Sequence, residues 1–253
     1  YFFNFKMVLS FAGLGTLSTK KGLRKIIFIF ILKSIYIFST LEKRGFCFWI
    51  RNYNKTIFIF QNKEDKYFFQ NLVDIRDENK QIKLIPGSGV PKSYINGPTS
   101  DFINQKLSKP FYFTFIYCAR LLKSKGIVDF LELSKILGKS KFYVYGEIDP
   151  NSTDSITEEE LLTYKRNLNN VSFLGFKTKP LLNHLKDRAI LVVPSKYGEG
   201  FPRAIAEAIC LGYPVLASEN SCAGNFNSSQ IFITKNCDIK SLINEIRKIE
   251  KLI

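Results

Sequence analysis

The residues with the clearest potential for chemistry lie in the segment 194–218, which reads PSKYGEGFPRAIAEAICLGYPVLAS. This segment follows the apolar run Ala189–Val193, which predicts a buried strand, and the carboxyl edge of a parallel sheet is where ligands bind. The glycines at 198 and 200 allow a close backbone approach, and Pro202 predicts the first residue of a helix. A helix N-terminus behind a glycine-containing loop presents N–H groups to an anion, which favours a diphosphate ligand.

Two carboxylates in this segment, Glu199 and Glu207, are separated by seven residues. The pattern places Glu199 in the loop and Glu207 inside a helix that is otherwise apolar except for Arg203. A carboxylate in such a helix is costly unless it is hydrogen-bonded. The two vicinal hydroxyls of a ribose would satisfy both of its oxygens, and pairing with a nearby Arg or Lys would serve as well. The spacing alone leaves both interpretations open.

The chain from Lys109 onward alternates short apolar runs with stretches of helical periodicity. Strands are predicted at 111–117, 141–145, 171–174, 189–193, 214–217 and 230–234, with helices at 125–137, 158–167, 181–186, 203–211 and from 239. Strands that are buried on both faces and joined by helices indicate an α/β fold with a doubly wound parallel sheet.

The first part of the chain is less regular. It offers strand candidates at Thr56–Phe60 and Lys80–Ile85, and the polar stretch Lys92–Lys109 is typical of a connection between domains. We therefore predict an N-terminal domain at 1–98, a linker at 99–109 and a C-terminal domain at 110–253. Because the chain opens with Tyr1 and has no signal-peptide layout, we expect sequence upstream and an incomplete N-terminal domain.

The segment 194–218 resembles the signature of family 4 glycosyltransferases of the GT-B fold, in which two Glu residues are separated by seven positions. The shared residues are Pro194, Ser195, Glu199, Gly200, Phe201, Pro202, Glu207, Ala208, Gly212, Pro214 and Val215. Further matches are Ala119-Arg120-Leu121-Leu122, Lys125-Gly126, Gly146 and Phe173-Leu174-Gly175. Pro86–Val90 resembles the loop that ends the N-terminal domain of the family. The runs Ala12–Gly15 and Phe60–Asp65 resemble a subgroup that builds bacterial surface polysaccharides, such as capsule or lipopolysaccharide, on polyprenyl-diphosphate carriers.

The resemblance implies two Rossmann-like domains that face a cleft, and sugar transfer with retention from a nucleotide sugar, most simply a UDP-sugar, to a lipid-linked or polysaccharide acceptor. It implies no metal or other cofactor. Glu199 would touch the transferred sugar, while Arg120 and Lys125 would stabilise the departing diphosphate. Glu207 would bind the ribose, and the remaining donor-binding residues would be Gly146, Gly200, Phe201, Pro202 and Arg203. The alternative for Arg120 and Lys125 is two solvated charges beside a strand end.

Several departures from the family pattern keep two alternatives open. Pro91 follows Val90 where an Asp is usual, Gly198 replaces an Arg, and the loop 219–224 differs. The altered loop 219–224 and the missing glycine-rich first loop of the N-terminal domain motivate a degenerate or truncated copy that binds nucleotide without turnover. The other alternative is a GT-B nucleotide-sugar epimerase, which depends on additional His and carboxylate groups. The chain has a single histidine, His184, which we expect on a surface helix.

The net charge of +15 favours anionic partners, and residues 1–100 alone carry 16 Lys/Arg against 6 Asp/Glu. No zinc-finger, RNP or basic-zipper pattern accompanies the charge, which disfavours nucleic acid. Basic residues around Ile26–Thr40, within the segment 20–44, suit an interfacial helix on anionic lipid, or else a helix packed on the first domain. We expect a cytoplasmic protein on the inner membrane face. One histidine and five scattered cysteines predict no metal site.

Overall fold

The structure, a computed structural model, describes residues 8–11, 14, 23–40, 56–74, 81–87, 89–95, 112–221, 223–235 and 238–251. The chain divides into two units, one of residues 1–87 with 198–201 and one of residues 88–197 with 202–253. The predicted linker 99–109, the basic residues Lys20, Lys21, Lys43 and Arg44, and all of Ala12–Gly15 except Leu14 lie outside the described residues.

The first unit contains a three-stranded parallel sheet in the order β1-β2-β3. Its strands are β1 (Val8–Phe11), β2 (Ile57–Phe60) and β3 (Ile82–Leu84), so both predicted strands are present but shorter than expected. Helix α1 (Leu23–Thr40) lies between β1 and β2 in the chain, and helix α2 (Lys63–Leu72) lies between β2 and β3. Parallel strands joined by helices are the arrangement expected of a Rossmann-like domain.

The core of the first unit is largely aromatic. Phe60 stacks on Phe11 with ring centroids 5.0 Å apart, and Phe69 of α2 lies 5.0 Å from Phe58. Helix α1 contributes Leu32 to this cluster, with Tyr36 packed against it. One face of α1 therefore packs on the core of its own unit, and the other apolar residues of the helix do not face that core.

The second unit contains a six-stranded, fully parallel sheet in the order β6-β5-β4-β7-β8-β9. The strands are β4 (Thr114–Cys118), β5 (Lys141–Tyr145), β6 (Val171–Phe173), β7 (Ala189–Val193), β8 (Val215–Ser218) and β9 (Ile231–Thr234). In chain order, β5 and β6 are added beside β4 on one side of the sheet, and β8 and β9 are added beside β7 on the other side. This is the doubly wound sheet that the sequence predicts, with its switch point at β4 and β7, where such folds bind ligands.

Helices cover both faces of this sheet. They are α3 (Lys92–Ile95), α4 (Ile127–Ile136), α5 (Glu158–Asn167), α6 (Arg203–Cys210) and α7 (Ile239–Lys251). One core layer gathers Phe130 and Phe142 with residues of α7, and the other places Ile205 and Ala208 of α6 against Ile116. Alternate residues of β4, β5, β7 and β8 supply the two layers, which explains why these strands read as largely apolar runs.

Two predicted helix starts are corrected by the structure. Pro202 has φ −65° and ψ 114°, so it precedes α6 as an extended cap, and its carbonyl accepts the N–H of Ile205 at 3.1 Å. The helix predicted from Lys125 instead begins at Ile127, because Gly126 has φ 77° and interrupts it. A short 3-10 helix, Lys123–Lys125, comes before that glycine. A left-handed residue cannot continue a right-handed helix.

Candidate functional site

A cavity of about 420 Å³ opens at the carboxyl edge of the second sheet, beside the N-terminus of α6. Strands β4 and β5 end at it, and the chain that follows β6 forms its outer wall. The lining residues are Cys118, Ala119, Arg120, Tyr145, Gly146, Glu147, Phe176, Lys177, Thr178, Pro180, Arg203, Ala204 and Glu207. The cavity therefore lies where the switch point of the sheet predicts a ligand.

Gly146 allows the loops after β4 and β5 to come together at the cavity. A Cβ atom at position 146 would lie 1.8 Å from the carbonyl oxygen of Ala119, a distance that no side chain tolerates. The two loops are joined by backbone hydrogen bonds from Ala119 N to Tyr145 O at 3.1 Å and from Leu121 N to Glu147 O at 2.9 Å. Glycine is thus required here for a close approach of two backbones.

Arg120 extends from this pair of loops. Its Nη1 lies 2.6 Å from Oδ2 of Asp149, and its side chain is 61% exposed. The other carboxylate oxygen, Asp149 Oδ1, accepts the backbone N–H of Asn151 at 3.1 Å, which fixes the carboxylate. Because a guanidinium carries five N–H donors, Arg120 retains donors for an anion while it is held by Asp149.

Lys125 does not line the cavity. Its Nζ is 4.9 Å from the ring centroid of Tyr197, within the range of a cation–π contact. Gly126 sets this position, because a Cβ atom there would lie 2.1 Å from Pro194 O, and Lys196 N donates to Ser124 O at 2.7 Å. The loop that carries Lys125 is therefore fastened to the loop after β7.

The N-terminus of α6 brings Glu207 to the cavity. Arg203 Nε donates to Glu207 Oε1 at 2.6 Å, and the Glu207 side chain is only 8% exposed. The helix thus forms the Arg–Glu pair that its sequence allows, with the second carboxylate oxygen still able to accept hydrogen bonds. Burial and the charge of Glu207 raise the pKa of Tyr94 on α3 to about 12, and the same two causes raise the pKa of the Cys118 thiol.

Four of the nine predicted site residues, Arg120, Gly146, Arg203 and Glu207, come together at this cavity. Pro202 is buried as the cap of α6. Glu199, Gly200 and Phe201 belong to the first unit, where the Glu199 carbonyl accepts Asn62 Nδ2 at 3.4 Å. The catalytic roles of Glu199, Arg120 and Lys125 stay predictions.

Residues 99–252 match the family described as glycosyl transferases group 1. The chain belongs to the group 1 glycosyl transferases. A search of the curated proteins found no match. The solved structures that resemble this chain have the GT-B fold. Both α/β units of this glycosyl transferase conform to that fold.

Three solved structures illustrate the likeness. Sucrose-phosphate synthase from Thermosynechococcus elongatus covers 98% of this chain at 21% identity and TM-score 0.68. HepE of Anabaena, in complex with UDP, covers 77% at 23% identity and TM-score 0.60, and the pneumococcal O-GlcNAc transferase GtfA, with UDP and GlcNAc, covers 78% at 17% identity and TM-score 0.53. The chain spans 59%, 54% and 39% of these three structures, respectively.

The outer wall of the cavity was missed by the sequence reasoning. Phe176, Lys177 and Thr178 follow β6 at the same carboxyl edge as the segment 194–218, and Phe176 is 68% exposed. The rule that placed the ligand at strand ends applies equally to β6. In the sequence, the aromatic Phe176 and the basic Lys177, shortly after that strand, were the signal that could have indicated this wall.

His184 is buried in the glycosyl transferase, and the prediction that it lies on a surface helix is wrong. It ends a 3-10 helix, Pro180–His184, and its side chain is 6% exposed. Its imidazole lies between the hydroxyl of Tyr145, 2.8 Å from Nε2, and the carboxylate of Asp187, 2.6 Å from Nδ1. Two polar partners offset the cost of removing the imidazole from water.

Proposed function

We propose that the chain provides the donor site of a glycosyltransferase that moves a sugar from a UDP-sugar to an acceptor with retention of configuration. The observation that carries the proposal is the cavity at the switch point, where Arg120, Arg203 and the buried carboxylate of Glu207 meet. UDP is present in the solved structures of HepE and GtfA, which share the fold. The charges in the cavity suit a nucleoside diphosphate, which combines anionic phosphates with ribose hydroxyls.

Glu207 would hold the ribose. Arg203 occupies Oε1 and neutralises part of the charge, while the second oxygen accepts a hydrogen bond from a ribose hydroxyl. The base would lie against the outer wall, where Phe176 offers an exposed aromatic face beside Lys177. Stacking between a base and an aromatic ring stabilises binding without selecting strongly among bases.

The diphosphate would lie toward Arg120 and Lys125. Negative charge develops on the leaving diphosphate as the bond to the sugar breaks, and fixed cationic donors stabilise it. Arg120 is held in place by Asp149, so little reorganisation is needed when that charge appears. In this proposal Glu199 contacts the transferred sugar, and the two cations act without a divalent metal.

The binding part of the proposal is tested by isothermal titration calorimetry of UDP, GDP and ADP into the purified chain. We expect UDP to bind most tightly, and Glu207→Ala to weaken it about 10- to 150-fold through the loss of a charge-assisted hydrogen bond. Binding of none of the three nucleotides would overturn the proposal.

Turnover is tested separately, by release of UDP from UDP-sugars with and without glycan acceptors. Glu199→Ala should abolish release while leaving the affinity for UDP within about twofold. UDP binding with no turnover of any donor would instead favour the degenerate nucleotide-binding fragment.

We further propose that the acceptor is lipid-linked and that α1 lies on an anionic membrane surface. The side of α1 away from the core exposes Leu23, Ile26, Ile27, Phe30, Ile31 and Ile37, each between 48% and 72% exposed. Contiguous exposed apolar surface marks an interaction site, and exposed Lys33 lies within the same helix. None of the helices in the described ranges is long and apolar enough to cross a membrane. Apolar side chains with basic neighbours suit the lipid interface.

Co-sedimentation with vesicles tests this contact. The chain should bind vesicles of phosphatidylglycerol and phosphatidylcholine far better than vesicles of phosphatidylcholine alone. Replacing Ile26 and Phe30 by Asp should abolish binding, whereas Ile136→Asp, at an exposed apolar residue of α4, should not change it. Equal binding of both vesicle types, or no effect of the α1 variant, would contradict the membrane contact.

A further inference from the structure

A chain of hydrogen bonds connects the 3-10 helix that follows the outer wall of the cavity to the sheet. The Tyr145 hydroxyl of β5 lies 2.8 Å from His184 Nε2, and His184 Nδ1 lies 2.6 Å from Asp187 Oδ2. Tyr145 lines the cavity, His184 is 5% exposed, and Asp187 reaches solvent. This series of hydrogen bonds therefore runs from the surface of the protein to the wall of the proposed donor site.

The direction of these hydrogen bonds follows from the chemistry of the three groups. The Asp187 carboxylate only accepts, so Nδ1 of the imidazole carries the proton and donates it. Nε2 of the neutral ring is then an acceptor, and the Tyr145 hydroxyl donates to it. The ring of Tyr143 packs on the imidazole with centroids 4.5 Å apart, which fixes the plane of the ring. The contacts on the two ring nitrogens thus favour the Nδ1–H tautomer of His184.

The chain of hydrogen bonds holds one end of the segment that forms the wall. Phe176–Thr178 leads directly into the 3-10 helix that His184 ends. Leu181 anchors the middle of that helix, because its side chain is 1% exposed and its carbonyl accepts the Tyr213 hydroxyl at 2.9 Å. His184 supplies the polar connection from the same helix to Tyr145, the last residue of β5, which precedes Gly146.

We propose that His184 is a positioning residue of the nucleotide site, which sets the place of the wall segment 176–180 through Tyr145 and Asp187. It touches no substrate in this role and acts on the base-binding side of the cavity. The inference rests on the proposed binding of UDP. It goes beyond that function, because it assigns a role in affinity to a buried residue outside the matched signature.

The single histidine makes the test direct, because a chain labelled with ¹⁵N-histidine shows only the ring nitrogens of His184. Long-range ¹H–¹⁵N spectra should show the Nδ1–H tautomer, and addition of UDP should move both ring signals. A histidine whose contacts are left unchanged by UDP would keep its signals when UDP binds. This measurement uses the unmodified chain and does not depend on the folding of any variant.

Calorimetry of two variants provides the second measurement. Tyr145→Phe keeps the ring in the core and removes only the hydroxyl, so the Kd for UDP should rise about fivefold, the value of one net hydrogen bond. Tyr164→Phe, on α5 and away from the cavity, should leave the Kd unchanged. If UDP binds but neither the ring signals nor the Tyr145→Phe affinity changes, the positioning role is refuted and the donor site stands. If UDP does not bind the unmodified chain, both proposals fail.

Discussion

Replacing Glu207 by Gln isolates the contribution of one negative charge to the donor site. Gln has nearly the volume of Glu, so the packing of α6 is kept, and its carbonyl oxygen can still accept from Arg203 Nε, which lies 2.6 Å from Glu207 Oε1. The variant replaces the second oxygen by an NH₂ group and removes the charge. A ribose hydroxyl then loses a charged acceptor, whose hydrogen bond is worth about 1 to 2 kcal/mol more than a neutral one.

The expected result is a Kd for UDP about 5- to 30-fold higher, since about 1.4 kcal/mol corresponds to a factor of ten. Stability should change little, because the Arg203 side chain is 58% exposed and water solvates it when the ion pair is lost. Calorimetric titration of UDP gives the Kd, and urea unfolding gives the free energy of unfolding. Both are measured on the same preparations.

A matched control exists on α7. Glu245 Oε1 accepts from Lys248 Nζ at the same distance of 2.6 Å, and its side chain is 16% exposed, but this pair lies away from the cavity. Glu245→Gln should leave UDP binding unchanged. Equal affinities of the unmodified chain, Glu207→Gln and Glu245→Gln would refute the assignment of Glu207 to the ribose.

Three further predictions concern other parts of the second unit. Gly146→Ala should destabilise the chain by about 3 kcal/mol or prevent folding, whereas Gly138→Ala, where the nearest atom to a Cβ lies 3.9 Å away, should change little in urea unfolding. Arg120→Ala should weaken the binding of UDP about tenfold or more in calorimetry, and should change the free energy of unfolding by less than about 1 kcal/mol. Thr157→Ala removes the cap of α5 and should cost about 1 kcal/mol near neutral pH. The Thr157 backbone N–H lowers the pKa of Glu160, so the stability from that carboxylate is complete above its ordinary pKa of 4.5 and disappears as the pH falls through the lowered value.

These predictions have their own controls. Lys123→Ala removes a cation from the same loop as Arg120, but Lys123 pairs with Glu160 at 2.9 Å and does not line the cavity, so it should bind UDP normally. A loss of affinity in both variants would indicate a general effect of charge. For the cap, Glu160→Gln keeps Thr157 and removes the carboxylate charge, so urea unfolding at pH 3 and pH 7 should show a smaller cost of Glu160→Gln at the lower pH. A cost that does not depend on pH would show that Glu160 takes no part.

The strands of the second unit are readable from the sequence because both faces of its sheet are buried. Lys141–Tyr145 and Ala189–Val193 occur with the predicted bounds, since uninterrupted apolar runs between polar residues mark such strands. The end of α5 and the start of α7 are likewise as predicted. In the first unit the strands are short, three or four residues each, and they pack in a largely aromatic core.

The candidate site was predictable where local sequence determines it, and not where distant contacts do. The glycines and carboxylates of the loop before α6 and of α6 itself lie within one segment, so the place of this segment at a strand end follows from pattern alone. The burial of His184 depends on Tyr145, which lies 39 positions earlier in the chain, and no local signal announces that pairing. The need for a glycine at position 126 likewise comes from a distant residue, because the backbone of Pro194 packs against it.

The position of β4 in the middle of the second sheet has a consequence for how the chain folds. Thr114 pairs with Lys141 on one side and with Ala189 on the other, so half of the sheet can form early and the other half only after a much longer loop closes. Non-local parallel pairing of this kind slows folding. During synthesis on the ribosome, β4, β5 and β6 can assemble first and must expose the unpaired edge of β4 until β7 emerges. That edge is open to pairing with another molecule during this interval.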